Sequence, residues 1–416
     1  MLFYKKQETR RALPFYFFER SVRLMSEKED LYKRDGVNVK EGDSFSECAG
    51  KLCWQTYGNS PYVEVDSFSG KHFRGPRGFR LNVLPINPNG LPEGYLCTCA
   101  PDGIGTKVAI IDASGLYANA ARNLVAMCAG DITRWGGLPL VFTSILDTKT
   151  LGENGDETNM AFRAMIRGLK ETADQQEFVM LNGETAELPT CVSSDNPDAC
   201  TQFNWGGVMF GVYHRRTIIT GNTVAPGQVV VALREKSFRC NGISSVRRAL
   251  AMKFGEQWWA NPEAKESIQA AAEPAVLYDR FLAAANGWHS PDFSPVVKAH
   301  LIVHVTGGAI QSKLAEDILF PQGLSATLGS LWVLPQIMRD CAGWRGMDSQ
   351  ELYKTWNGGQ GVLMVVDASD VGTLTHMASK HGIEAKACGE ITKEKSPRVT
   401  IVSQLNGEEI TFEPKT

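Results

Sequence analysis

Short apolar runs alternate along the chain with stretches whose apolar positions recur every three or four residues, the mark of strands interleaved with amphipathic helices. Residues 94–112 read as an apolar strand GYLCTCA, a glycine loop PDGIGTK and a second apolar strand VAIID. Leu116, Ala120, Leu124, Val125 and Cys128 then keep helical spacing. Gly130 and Asp131 fall where that helix should stop, since glycine favours the position after a helix C-terminus. Strand PLVFTSIL follows. Phe162, Met165, Ile166 and Leu169 share one helical face within 158–172, and strand EFVML delivers the chain to NGETAELP.

Segments GGVMFGVY (206–213) and QVVVALR (228–234) read as a strand pair. The joining TGNTVAPG is turn-rich and marks the expected domain boundary. Helices are expected over 243–254 and about 275–286, then strand HLIVHV ending at the turn TGG. Helix IQSKLAEDIL, strand ATLGSLWV, helix PQIMRDCAGW and strand GVLMVVD complete the alternation. The pattern predicts an α/β (α+β) architecture in two domains, residues 25–214 and 215–416. Residues 1–24 form an extension set apart from the fold. Its aromatic run Phe15, Tyr16, Phe17, Phe18 is broken by Glu19 and Arg20 and is too short for a membrane span. A transit peptide, or a start at Met25, are the alternatives there.

At 416 residues the chain exceeds what one hydrophobic core usually serves, which supports two domains. A net charge of −3 leaves no basic footprint for nucleic acid or a membrane surface, so a small-molecule partner is expected. The ten cysteines contain no CxxC pair, and reduced thiols in a cytoplasmic enzyme are the expectation.

Three acidic segments carry candidate chemistry. Asp102, Gly103, Ile104, Gly105, Thr106 and Lys107 place a carboxylate at a strand end, then two glycines, a hydroxyl and an ammonium. Glycine N–H groups can face anionic oxygens, and the lysine brings a mobile positive charge. The spacing is not Walker A, and a glycine turn with a surface lysine is the plainer alternative. Asp131 is either a turn residue or a ligand to a hard cation, and magnesium takes one or two carboxylates together with phosphate oxygens. Glu184 and Glu187 would share a face if NGETAELP were helical, and could hold metal, orient substrate or act as a base. In the second half, Asn241 and Gly242 open a helix, and His304, Val305, Thr306, Gly307 and Gly308 lead from a strand into another. Helix starts with small residues suit phosphate, and a histidine there is an acid, a base or a structural residue.

In order, these segments resemble one family, the phosphoribosylformylglycinamidine cyclo-ligases (AIR synthases). DGIGTK resembles that family's DGVGTK, LVAMCAGDITRWGGLP its LVAMCVND and D-x4-G-A-x-P, and NGETAELP its GGETAEMP. NGISSVRRAL is similar to its NGYSLVRK, HVTGG to HLTGGG, LYKTWNGGQGVLMVV to MYRTFNxGxGM, and YKRDGVNVKEGD to YxxAGVDIxxGN. The resemblance covers about Tyr32 to Val366. It implies two α/β halves, a homodimer formed through the N-terminal half, and ATP in a groove at or near that interface. It also implies ATP-dependent ring closure of formylglycinamidine ribonucleotide to aminoimidazole ribonucleotide. On that reading Asp102 and Asp131 are Mg2+ ligands and Lys107 a phosphate contact. Glu184 and Glu187 orient metal or substrate, and Asn241, Gly242, His304, Thr306, Gly307 and Gly308 line the substrate and its phosphate.

Departures mark a divergent member. Asn123 and Asn204 replace aspartates, Gly130 an asparagine, Arg239 a histidine and Ala309 a glycine, and the family's N-terminal glycine-rich loop is matched only by RGPRGF, Arg74 to Phe79. Trp258 to about residue 298 reads as an enlarged insertion. The alternatives are another ATP-using enzyme of the superfamily or a silent nucleotide-binding relative.

Overall fold

The computed structural model describes residues 39–67, 77–81, 94–290 and 293–414. The extension 1–24, most of YKRDGVNVKEGD and Arg74 to Pro76 lie outside these.

The elements run α1 (Val39–Gln55), β1 (Val63–Ser67), β2 (Arg77–Leu81), β3 (Tyr95–Gly103), α2 (Lys107–Ser114), α3 (Asn119–Thr133), β4 (Leu138–Thr148), α4 (Glu157–Gln176), β5 (Val179–Glu187) and β6 (Phe203–His214). They continue with β7 (Val229–Arg234), α5 (Ile243–Phe254), α6 (Lys265–Ala271), α7 (Asp279–Ala285), β8 (Ala299–His304), a π-type helix Gln311–Leu319, β9 (Ser325–Leu328), α8 (Gln336–Arg345) and α9 (Ser349–Thr355). The last elements are β10 (Gln360–Val366), α10 (Val371–Lys380), β11 (Ala385–Thr392), β12 (Val399–Val402) and β13 (Glu409–Phe412).

Two sheets organise the chain. The first has order β3-β6-β4-β5, the second β13-β12-β9-β11-β7-β10-β8. Pairing is antiparallel except for β4 with β5 and β12 with β9, so this is an α+β arrangement. β6 and β7, expected to pair, belong to different sheets. VAIID, expected as a strand, lies in α2, which Gly115 closes at φ +70. A four-residue apolar run suits a buried helix as well as a strand, and the left-handed glycine decides between them.

One face of the first sheet packs on helices. α3 is apolar nearly all round, with Leu124, Val125, Ala126 and Cys128 fully buried. It lies against β3, β6 and β4, with α4 beside it. Met209, Phe142, Leu146 and Trp205 face it from the strands and join one apolar core that continues into the second half. The halves interlock further through α7 and Trp288. Ala283 and Trp288 pack with Val141, Val179 and Val212 of the first sheet, and the Trp288 indole donates to Gly136 O at 2.7 Å.

Candidate active site

The register of the first sheet fixes where the acidic residues go. Asp102 pairs with Gly207, Gly207 with Ser144 and Ser144 with Gly183, one row across four strands. Side chains alternate between faces along a strand, so Asp102 stands on the helix-covered face at one edge. There the Cys128 thiol of α3 donates to Asp102 O at 3.8 Å. Asp131 follows Cys128 by three residues on the same helix face, so it arrives beside the end of β3. The helix does not stop at Gly130 as expected. It continues to Thr133, because Gly130 is needed inside it: a Cβ there would stand 2.6 Å from His304 Nδ1.

The two aspartates therefore converge. Burial raises the Asp102 carboxyl above its usual range, the Gly103 N–H at 2.6 Å partly offsets this, and the Asp131 charge raises it again. Burial also pushes Asp131 up, but His304, Arg134 and Lys313 draw it down by more, for a net lowering. His304 is itself driven down to about 4 by burial and the Arg239 charge, so it is neutral near pH 7. Its Nδ1 stands 3.9 Å from Asp131 Oδ1, beyond hydrogen-bond range. Arg134, 3.6 Å from the same oxygen, and Lys313 are the cations that favour the ionised form of Asp131.

Loops of the second half close on this edge. A Cβ on Gly105 would lie 4.0 Å from Cys240 O, and one on Gly307 3.4 Å from Asn241 Nδ2. Gly105, Thr106, Gly307 and Gly308 are exposed, and Thr306 is half-buried. Thr106 starts α2 without a side-chain cap, and Gly242 starts α5 at φ +71, where a Cβ would meet Trp356 at 2.6 Å. Asn241 Oδ1 and both ring nitrogens of His304 are buried without a hydrogen-bond partner. Buried polar atoms left in this way normally have a partner, so these point to a bound polar group.

Two expectations are corrected. Lys107 is not at the surface of the glycine loop: it is fully buried, and its ammonium donates to Asn123 Oδ1 (2.8 Å), Phe238 O (2.6 Å) and Glu273 O (3.1 Å). It has no N–H left for a phosphate. NGETAE is strand, not helix, so residues three apart face opposite ways. Glu187, on the helix-covered face, accepts from Leu151 N at 2.7 Å and Thr150 Oγ1 at 3.2 Å, bracing the turn after β4. Glu184 is exposed on the opposite face and three strands from Asp102, roughly 14 Å at the usual strand spacing. Asn204, on β6, is likewise exposed on that open face, while Asn123 is occupied by Lys107.

Sequence reading missed several neighbours. Arg239 donates to Glu235 Oε2 at 2.9 Å and to Ala126 O at 3.0 Å, joining the halves beneath the site. The Thr133 hydroxyl donates to Asp279 at 2.8 Å. Arg239 was visible as a departure from the family pattern; Asp279 lies in the insertion and carried no signal. Among the described residues no cluster of three or more His, Cys, Asp or Glu could hold a metal ion by itself.

Two family descriptions match the chain. Residues 87–206 match "AIR synthase related protein, N-terminal domain" and residues 225–402 match "AIR synthase related protein, C-terminal domain". The phosphoribosylformylglycinamidine cyclo-ligase of Oceanobacillus iheyensis is 26% identical over 374 residues, 89% of this chain and 99% of that protein. The enzyme of the same name from Myxococcus xanthus is 26% identical over 374 residues, 89% and 98% of the two chains. Among solved structures, hydrogenase maturation protein HypE in complex with ATP superposes with a TM-score of 0.52 at 12% identity, covering 77% of this chain and 86% of that one, a likeness of fold.

Proposed function

We propose, from the premise that the chain belongs to the AIR synthase related family, that it catalyses ATP-dependent cyclisation of formylglycinamidine ribonucleotide to aminoimidazole ribonucleotide. The observation that carries the reading is the convergence of Asp102 and Asp131 at an edge faced by Asn241, His304 and the glycine turns of the second half.

An amide oxygen is a poor leaving group, so ring closure needs that oxygen converted to a phosphate ester before the amidine nitrogen attacks its carbon. ATP supplies the phosphoryl group, and phosphate departs as the ring closes. The charge that develops on the phosphoryl oxygens has to be met by fixed dipoles. The exposed backbone at Gly105 and Thr106, opening α2, and at Gly307 and Gly308 offers N–H groups for that purpose. Asn241 Oδ1 and the neutral His304 imidazole, both unpartnered, orient the formyl and amidine groups by hydrogen bonding.

The Asp131 charge raises the proton affinity of Asp102, and a carboxylate pair of this kind suits a hard cation shared with nucleotide phosphates. Asp102 and Asp131 would hold Mg2+, which supplies charge neutralisation on the phosphates when bound. Glu184 belongs to a different surface. The face of the first sheet opposite α3 leaves Ile145 56% exposed beside half-buried Val208 and Phe210, and a second copy of the chain covering it would make the homodimer. No helix among the described residues is long and apolar enough to cross a membrane; the cytoplasm is the proposed place of action.

Purified protein with Mg2+, ATP and formylglycinamidine ribonucleotide is expected to release ADP only when both substrates are present, with aminoimidazole ribonucleotide as product. ATP turnover independent of the ribonucleotide, or without imidazole product, would assign the chain another substrate.

A further inference from the structure

Lys107 holds four segments at one point. It is the first residue of α2, two positions after Gly105. Its ammonium meets Asn123 of α3, Phe238 in the loop between β7 and α5, and Glu273 in the segment after α6. The first two segments are N-terminal and the last two C-terminal, so the contact spans the seam between the halves. Asn123 extends it, accepting also from Ala275 N at 3.2 Å and donating to Asn119 O at 2.8 Å. Asn119 in turn donates to Ala272 O at 3.3 Å.

An ammonium has three donors, and here three oxygens take them. Swinging the side chain out to a phosphate would strand Phe238 O, Glu273 O and the Asn123 amide oxygen, each of which would lose its hydrogen bond to the ammonium. All three acceptors are neutral, so the cation is held by geometry and not by an opposing charge. Burial pushes this amine down to about 8, as expected of a cation with no carboxylate in contact.

Phe238 stands three residues before Asn241, and Lys107 two after Gly105. We propose that Lys107 is a positioning residue, whose ammonium sets the register between the Gly105–Thr106 loop, where nucleotide phosphates dock, and the Asn241–Gly242 loop, where the second substrate docks. This role rests on the proposed function for the reaction it positions, but the contact itself does not.

Two measurements test it. Acetic anhydride labelling of the native wild-type chain, read by mass spectrometry, is expected to leave Lys107 unmodified while exposed lysines react, with and without ATP and Mg2+. Modification of Lys107 in the free protein, whether or not ATP then protects it, overturns the assignment. The variant Lys107→Met is expected to lower kcat about 100-fold, the scale of a small misplacement of reacting groups. Its dissociation constant for a non-hydrolysable ATP analogue, by calorimetry, should stay within threefold of wild type. A tenfold or greater loss of nucleotide affinity with kcat spared would make Lys107 a phosphate contact instead. If Lys107→Met fails to fold, the labelling result decides alone. Should the chain lack cyclo-ligase activity, labelling and nucleotide affinity still report on the contact.

Discussion

The two faces of the four-stranded sheet both carry acidic residues, in alternate rows, yet only one face gathers them into a site. On the helix-covered face Asp102 meets Asp131 because α3 runs directly beneath the end of β3, its Cys128 thiol against Asp102 O. On the open face Glu184 is exposed near Asn182, which accepts from Thr143 at 2.7 Å, and Asn204 is likewise exposed. The difference is one of second layers. A carboxylate becomes a functional group when another element brings charge or dipoles to it; over the open face of β5, Val179 packs with the apolar Val63, Ala283 and Trp288, whereas Glu184 further along is exposed.

The largest expected effect breaks this comparison directly. Asp102→Asn and Asp131→Asn should each lower kcat/KM for ring closure about 10²- to 10³-fold, the usual scale for removing one preorganised charge partner. Melting temperatures should stay close to wild type, because both carboxylates lie at the cleft and not in the core. Glu184→Gln should change the Mg2+ concentration giving half-maximal rate by less than threefold. Equal losses in all three variants would mean that the faces act together and that the single-chain separation is misleading.

Next comes the packing that brings the second half to the first. Gly130→Asn places a side chain against the His304 ring, where even a Cβ would be 2.6 Å from Nδ1. Overpacking of this kind costs about 1–3 kcal/mol, and displacement of the imidazole should lower the rate roughly tenfold or more. A variant retaining both melting temperature and rate would show that the helix and the imidazole do not pack this way.

How much of this could be read from residues alone depends on where the partners lie. The glycine turns at Gly105, Gly242 and Gly308 were legible because each needs left-handed backbone, observed at φ +59, +71 and +78. α4 was legible from its apolar stripe, Phe162, Met165, Ile166 and Leu169, all buried, while its Asp156 cap, which accepts from Asn159 N, was not singled out. The burial of Lys107 was not. Two of its three partners are backbone carbonyls 131 and 166 residues away, and a carbonyl carries no side-chain signature. The faces of Glu184 and Glu187 were equally hidden, since a spacing of three is shared in a helix and opposed in a strand. α1 and the C-terminal strands β11 to β13 lacked periodic signals strong enough to stand out.

A third prediction concerns pH on the gathered side. Burial, partly offset by the Thr133 hydroxyl and the Arg239 charge, raises Asp279 to about 6, against about 3.9 in an unfolded chain. As pH climbs from 4 to 6 the unfolded chain gives up this proton first, so the folded state binds more protons and loses stability across that window. Above pH 6 the full penalty applies, up to about 3 kcal/mol for two units. Asp279→Asn keeps an oxygen for Thr133 and removes the titration. It should therefore raise the melting temperature at pH 8 and leave it nearly unchanged at pH 4. A gain of the same size at both values would show that Asp279 is not titrating in that range.

The smallest effect sits at the turn between β8 and the π-type helix. Ala309 is fully buried at φ +47, a left-handed conformation that costs a residue with a Cβ about 1–2 kcal/mol. Glycine stands here in the related family, and Ala309→Gly would relieve the strain while losing up to about 1 kcal/mol through greater freedom of the unfolded chain. The net is a stabilisation of about 1 kcal/mol or less, a rise of one or two degrees in melting temperature for a chain of this length. The same change should loosen the backbone of Gly307 and Gly308, so KM for the phosphate-bearing substrates is the more sensitive readout. A fall in melting temperature would mean that the buried methyl group contributes more through packing than it costs in backbone strain, and that the turn is braced from the core side and not from its own dihedrals.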